Sequence, residues 1–157
     1  MKIDESQTPN SVPWPPLIMA AAVAASLGLG FVTPLLAVSS PWVHAMGYVL
    51  ALIGVALDIW AIKVMRRAQT NILPHRGASR LVTTGPFSLT RNPIYVGNVA
   101  LMTGIGFAFG GLWFVILGVV SAFVVDRLAI RREERHLVAR FGQNWIDYAS
   151  RVPRWLI

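Results

Sequence analysis

The chain alternates long apolar runs with short breaks marked by proline, glycine or charge, and four of the runs are long enough for membrane helices. Residues 17–38 carry no charge over 22 positions, which at the helical rise spans roughly 33 Å, the depth of a bilayer core. Gly28, Gly30 and Pro34 inside it predict close helix contact or a kink. Ser39-Ser40-Pro41 reads as a turn, and the second run, 42–64, holds one acid, Asp58, before Lys63, Arg66 and Arg67 end it. A polar connection, 68–93, precedes the third run, 94–109, and Gly110-Gly111 turns the chain into the fourth, 112–129. Beyond Asp126 and Arg127 the helix is expected to continue through the charged segment 131–141. Gly142 is a natural stop signal. The aromatic-rich segment 144–157 reads as a short helix or turn that could lie on the membrane surface. Residues 1–13 read as a flexible tail, with Trp14 as an interfacial anchor.

This pattern predicts an all-α, polytopic membrane protein: four transmembrane helices in one domain over residues 1–157, with a polar loop and C-terminal helices on one side. Composition agrees, since 55% of the chain is hydrophobic and 13% charged. The chain has no cysteine, which excludes disulfides, thiolate metal sites and cysteine nucleophiles. The first residues lack the basic region and cleavage site of a signal peptide, so the first span is expected to be retained.

A formal charge of +7 would suit nucleic acid in a soluble protein. Here its distribution points to topology instead. Lys63, Arg66, Arg67, Arg76, Arg80 and Arg91 lie in or beside the second connection. Arg127, Arg131, Arg132, Arg135, Arg140, Arg151 and Arg154 lie toward the C-terminus, and the turns at 39–41 and 110–111 carry no cation. Four spans with both termini cytoplasmic put every positive charge inside. The expected location is a bacterial inner membrane, and the loop and C-terminal helix then share a face.

Candidate chemistry concentrates at 79–95, SRLVTTGPFSLTRNPIY. Gly85-Pro86 and Asn92-Pro93 impose non-helical backbone, Asn92 is placed to cap the third helix and Pro93 to start it. Such a loop grips a polar ligand only if it lines a protected cavity; an ordinary loop whose arginines meet lipid phosphates is the competing reading. In Arg131-Arg132-Glu133-Glu134-Arg135-His136, adjacent glutamates point about 100° apart, so one at most comfortably faces a given site. Arg–Glu pairs on a solvated helix are the plainer explanation there. Gly104 and Gly106 read as a packing notch, Asp58 as a partner of Lys63, and Asp126 as a partner of Arg127 or Arg131. His44, His75 and His136 are too far apart for metal-ligand spacing, and no metal site is expected.

With these residues in hand, the segment from about Asn71 to Trp155 resembles the isoprenylcysteine carboxyl methyltransferase family and the related phospholipid methyltransferases. The matching pieces are Leu81-Val82-Thr83-Thr84-Gly85-Pro86-Phe87 and Arg91-Asn92-Pro93-Ile94-Tyr95-Val96-Gly97. After an apolar hairpin come Glu133-Glu134, Leu137, Phe141-Gly142, Trp145, Tyr148 and Val152-Pro153. The resemblance implies S-adenosylmethionine as cofactor, held by the loop 71–95 and the segment 130–157. Its cofactor-binding positions fall on Ser79, Arg80, Leu81, Val82, Phe87, Asn92, Pro93, Ile94, Tyr95 and Glu133. Two departures separate the chain from the prenylcysteine enzymes. Asn92 stands where the family usually has histidine, and Ala129 stands where a substrate-carboxylate arginine is usual, with Arg127 and Arg131 two residues to either side. The implied catalytic set is Arg127, Arg131 and Glu134, with Glu134 or His136 as base, acting on a lipid-like or small amphiphilic acceptor. A nicotinamide-dependent membrane reductase of the sterol-reductase type and a non-enzymatic membrane scaffold are the alternatives.

Overall fold

The computed structural model describes residues 13–35, 40–71 and 78–156. The expected tail with Lys2, the end of the first run, His75, Arg76 and Ile157 lie outside them. Among the described residues all regular structure is helical: α1 (Trp14–Val32), α2 (Pro41–Arg67), a 3-10 turn (Gly85–Ser88), α3 (Pro93–Phe109), α4 (Leu112–Val125), α5 (Arg131–Phe141) and α6 (Gln143–Arg151). A wider π-type turn, Asp126–Ile130, joins α4 to α5 without ending the helix. The chain is thus the all-α membrane protein that the apolar runs predict. Three helices, Trp14–Val32, Pro41–Arg67 and the continuous Leu112–Phe141, are long and apolar enough to cross a membrane, and Pro93–Phe109 is a shorter apolar helix.

Proline sets the starts. Pro15, Pro41 and Pro93 occupy first-turn positions of α1, α2 and α3, where a missing N–H costs nothing. Trp14 opens the helix and packs against the Val125, Ala129 and Ile130 cluster. Two expectations for the first run are corrected. Pro34 lies beyond the helix, which stops at Val32, because a proline cannot supply the interior N–H that a longer helix needs. Gly28 and Gly30 have open space where a Cβ would stand, so neither makes the predicted close contact. The frayed end is tied to α4 instead: Trp113 Nε1 donates to Thr33 O at 2.8 Å and Leu112 N to Leu35 O at 2.9 Å.

The tightest interface joins α2 and α3 in antiparallel contact. Gly47 and Gly54 on α2 oppose Gly104 and Gly97 on α3, and a Cβ on Gly104 would stand 2.4 Å from Ala51 N. Small residues at this spacing let two backbones approach closely in lipid, where packing rather than water exclusion holds helices together. Gly104 is therefore the expected notch, while Gly106 faces α4 at Val115. Asp58 corrects its expectation. It lies over Gly97 with Oδ1 lacking a hydrogen-bond partner, and no ion pair joins it to Lys63.

Around the bundle α2 packs on α3, α3 on α4 and α4 on α1; α1 and α2 have no comparable interface. The α4–α5 rod has 30 residues, about 45 Å at the helical rise, longer than a bilayer core. Its apolar part ends at the π-type turn, and α5, with Arg131, Arg132, Glu133, Glu134, Arg135 and Arg140, projects past it. The segment after Gly142 turns back on α5. α6 folds back so that Trp145 and Tyr148 pack with Leu137 and Val152 against Leu81 of the loop. Gly142 makes that reversal with φ +53°, a left-handed value that disfavours side chains.

Candidate active site

A cavity of about 570 Å³ lies where the loop, α5 and α6 meet the ends of the apolar helices. Its outer wall is the loop: Thr70 Oγ1 donates to Arg80 O at 3.1 Å and accepts from Arg80 N at 3.2 Å, pinning the loop's two arms together. Gly85, at φ +63°, seats the 3-10 turn on Trp60 and Val64 of α2. A second brace comes from the C-terminal segment. Thr90 Oγ1 and Asn92 Nδ2 both donate to Arg154 O, at 2.9 and 3.0 Å, Arg91 N donates to Pro153 O at 2.9 Å, and Tyr148 OH donates to Phe87 O at 2.6 Å. Burial pushes the Tyr148 hydroxyl up to about 12, with Arg91 opposing, so it stays a donor across physiological pH.

Of the positions named from the sequence, Arg80, Leu81, Val82, Phe87, Asn92, Pro93, Ile94, Tyr95, Glu133 and Glu134 line this cavity. Ser79 does not; its hydroxyl donates to Gln69 O at 3.0 Å, in the loop's base. Asn92 sits at the N-terminal boundary of α3 as expected, but its side chain makes no cap hydrogen bond, being drawn to Arg154 O. Arg127 and Arg131 are not brought to the cavity. Arg127 lies over the Phe123 ring at 4.7 Å and Arg131 Nε donates to Asp126 Oδ2 at 3.0 Å. His136 is likewise outside, with its imidazole held below its ordinary pKa by burial and by Arg140.

The two glutamates differ in their surroundings although both reach the cavity. Glu134 is held on both oxygens: Arg91 Nη1 donates to Oε1 at 2.8 Å, Arg154 Nε to the same oxygen at 3.0 Å and Arg154 Nη2 to Oε2 at 2.5 Å. Arg154 Nη1 then reaches Asp126 Oδ1 at 3.4 Å, so an Arg91–Glu134–Arg154–Asp126–Arg131 chain of charges runs beneath the site. Glu134 meets the Arg154 fork, and Asp126 takes one arginine donor on each oxygen, which is how buried charges are tolerated. Glu133 has no such partner, and desolvation, seconded by Glu134, pushes its carboxyl up to about 7.

Thr90, Asn98 and Arg154 were given no place in the site from the sequence, and Tyr148 only a place among the matching pieces. A basic residue at 154 read as topology, because its acidic partners lie 20 and 28 positions away and no local pattern joins them.

Residues 42–144 match the phospholipid methyltransferase family, a stretch that takes in α2, the loop, the α3–α4 hairpin and Glu133. The chain belongs to the phospholipid methyltransferase family. Among the family member's relatives, the nickel-cobalt-cadmium resistance protein NccN of Alcaligenes xylosoxydans xylosoxydans is 36% identical over 78 residues, 50% of this chain and 36% of that protein. The cobalt-zinc-cadmium resistance protein CzcN of Cupriavidus metallidurans is 30% identical over 116 residues, 71% of this chain and 50% of that protein. Protein-S-isoprenylcysteine O-methyltransferase B of Arabidopsis thaliana is 30% identical over 117 residues, 71% of this chain and 58% of that protein. The chain thus spans about half the length of the curated relatives it matches. No solved structure gives a significant match. Among the described residues no group of histidine and acidic side chains in this phospholipid methyltransferase relative could hold a metal ion.

Proposed function

We propose that this chain uses S-adenosylmethionine to methylate a lipid-like or small amphiphilic acceptor, in a bacterial inner membrane, with the arginine-rich end and both termini in the cytoplasm. The observation that carries the reading is the unpaired Glu133 carboxyl in a cavity walled by the family's own loop. The donor set fits the cofactor: Glu133 and the Tyr95 ring suit a sulfonium, Arg80 at the exposed mouth suits a carboxylate, the Asn92 amide can donate and accept, and Leu81, Val82 and Phe87 supply an apolar wall. When bound, S-adenosylmethionine supplies an electrophilic methyl group, whose bond to sulfur breaks as the acceptor's lone pair forms the new bond. The chain's own work is alignment and charge complementarity. Glu134, bound by two arginines, is a positioning residue and not a free base, which favours an acceptor that reacts as a carboxylate or thiolate. Arg127 and Arg131 frame Asp126 and leave the acceptor alone.

The test is titration calorimetry on detergent-solubilised protein. A cation prefers the ionised acid, and with a carboxyl near 7 the ionised share rises from about a tenth at pH 6 to about nine tenths at pH 8. S-adenosylmethionine affinity is expected to rise up to about tenfold over that interval. S-adenosylhomocysteine, lacking the sulfonium, should change little, and Glu133→Gln should flatten the profile. Absence of binding at both pH values overturns the reading. Binding of NADPH without S-adenosylmethionine would favour the reductase.

A further inference from the structure

We infer that Asn98 holds the polar group of the acceptor, and that the acceptor is a single-chain amphiphile whose apolar tail leaves the cavity between α1 and α2. This rests on the reading above only for the word acceptor. The deepest cavity-lining positions of the four apolar helices are Ala20 on α1, Ile62 on α2, Asn98 on α3 and Ile130 at the end of α4. Three are aliphatic and one is an amide. Asn98 stands one turn beyond Tyr95, on the α3 face that also meets a small crevice with Ser121 and Val125. Its side chain is half-buried, and none of the hydrogen bonds among the described residues involves it. A polar side chain in an apolar span that lines a cavity marks a ligand path by default. Asn92, by contrast, already spends its amide on Arg154 O.

The outlet follows from the packing. Both α1 and α2 wall the cavity, through Pro16, Met19 and Ala20 on one side and Ile62 and Met65 on the other, yet the two helices have no comparable interface with each other. Pro16 and Ala20, one turn apart, line the cavity and are still exposed, as at an open seam. That seam has no charged side chain and two unbranched methionines, which adapt to a flexible hydrocarbon chain. A polar end at Asn98 and a tail at Met19 and Met65 place the amphiphile's head beside Tyr95 and Glu133.

The probe is a sixteen-carbon alcohol carrying a mid-chain diazirine, photolysed in nanodiscs with the full chain and mapped by peptide mass spectrometry. Saturable labelling of Met19 and Met65 is expected, displaced by the unlabelled alcohol and not by hexadecane. Asn98→Leu should weaken half-saturation by about fivefold, the share of one net hydrogen bond, with Asn98→Gln recovering part. Ala20→Trp should block labelling by filling the seam. Equal labelling in wild type and Asn98→Leu overturns the proposal, as does unsaturable labelling spread over lipid-facing Leu52 and Ile53. Calorimetry with S-adenosylmethionine on the same samples separates the two readings. A wild type that binds none but labels as expected sinks the methyl-donor reading alone; intact cofactor binding with labelling indifferent to residue 98 sinks this one alone.

Discussion

Arg154 shows how one side chain joins parts of the molecule that are distant in sequence. Its carbonyl receives the loop through Thr90 and Asn92, while its guanidinium grips Glu134 and Asp126. Replacing it by alanine removes the fork that holds Glu134 but leaves Arg91 on that acid and Arg131 on Asp126. With the side chain 31% exposed, solvent screening keeps the loss to about 2 kcal/mol. Arg154→Ala should therefore lower the midpoint of thermal unfolding, followed by tryptophan fluorescence, and Arg154→Lys should recover part of the loss. An unchanged midpoint would show that the pairing is dispensable. Local grammar in the sequence did expose other residues: Pro93 at a helix start, Gly142 at a helix end and Asp126 beside Arg131. Each of those depends on near neighbours. The coupling of residues 91, 134 and 154 depends on the tertiary fold, which no spacing rule encodes, and the same holds for the capture of the Asn92 amide.

At the scale of elements, the α2–α3 seam carries the bundle. A methyl group on Gly104 would meet Ala51 N at 2.4 Å, and backbone cannot step aside as a side-chain tip can. Gly104→Val should force the helices apart and cost about 2 kcal/mol or more, measured as loss of the folded species in size-exclusion chromatography and a lowered unfolding midpoint. Gly28→Val, with open space around it, is the internal control and should change little. The apolar runs made the helices legible because length and hydropathy suffice in a bilayer. The π-type turn at Asp126–Ile130 was not legible. It widens the helix by a local choice of hydrogen-bond partner, and it sets the rotation at which α5 presents Glu133 and Glu134 to the cavity. Within α5 the two glutamates still point about 100° apart, and both line the cavity.

Across the whole molecule, the cations collect at one end. Arg66 and Arg67 at the end of α2, Arg80 and Arg91 in the loop, and the arginines of α5, α6 and the C-terminal segment share the cavity's end of the bundle, while Ser40 and Gly110-Gly111 mark the other. A chain without cysteine makes the proposed orientation directly measurable. With a membrane-impermeant maleimide and bacterial spheroplasts, Gly111→Cys should react in intact cells and Arg140→Cys only after permeabilisation. The reverse pattern would invert the topology. Sequence foresaw this polarity, since charge along the chain converts to sidedness by a simple rule. It could not show which neighbours in the bundle touch.

Four helices joined by three interfaces behave like an open book rather than a closed barrel. The α2–α3 pair forms one cover, α1 with α4 the other, and the α3–α4 contact is the spine. Among the described residues, parting the covers at α1 and α2 breaks no glycine seam, ion pair or backbone hydrogen bond. A guest of the proposed kind, arriving from the membrane, would meet a slot with little packing to undo, and its admission would draw little on the stability that keeps the cavity end in register.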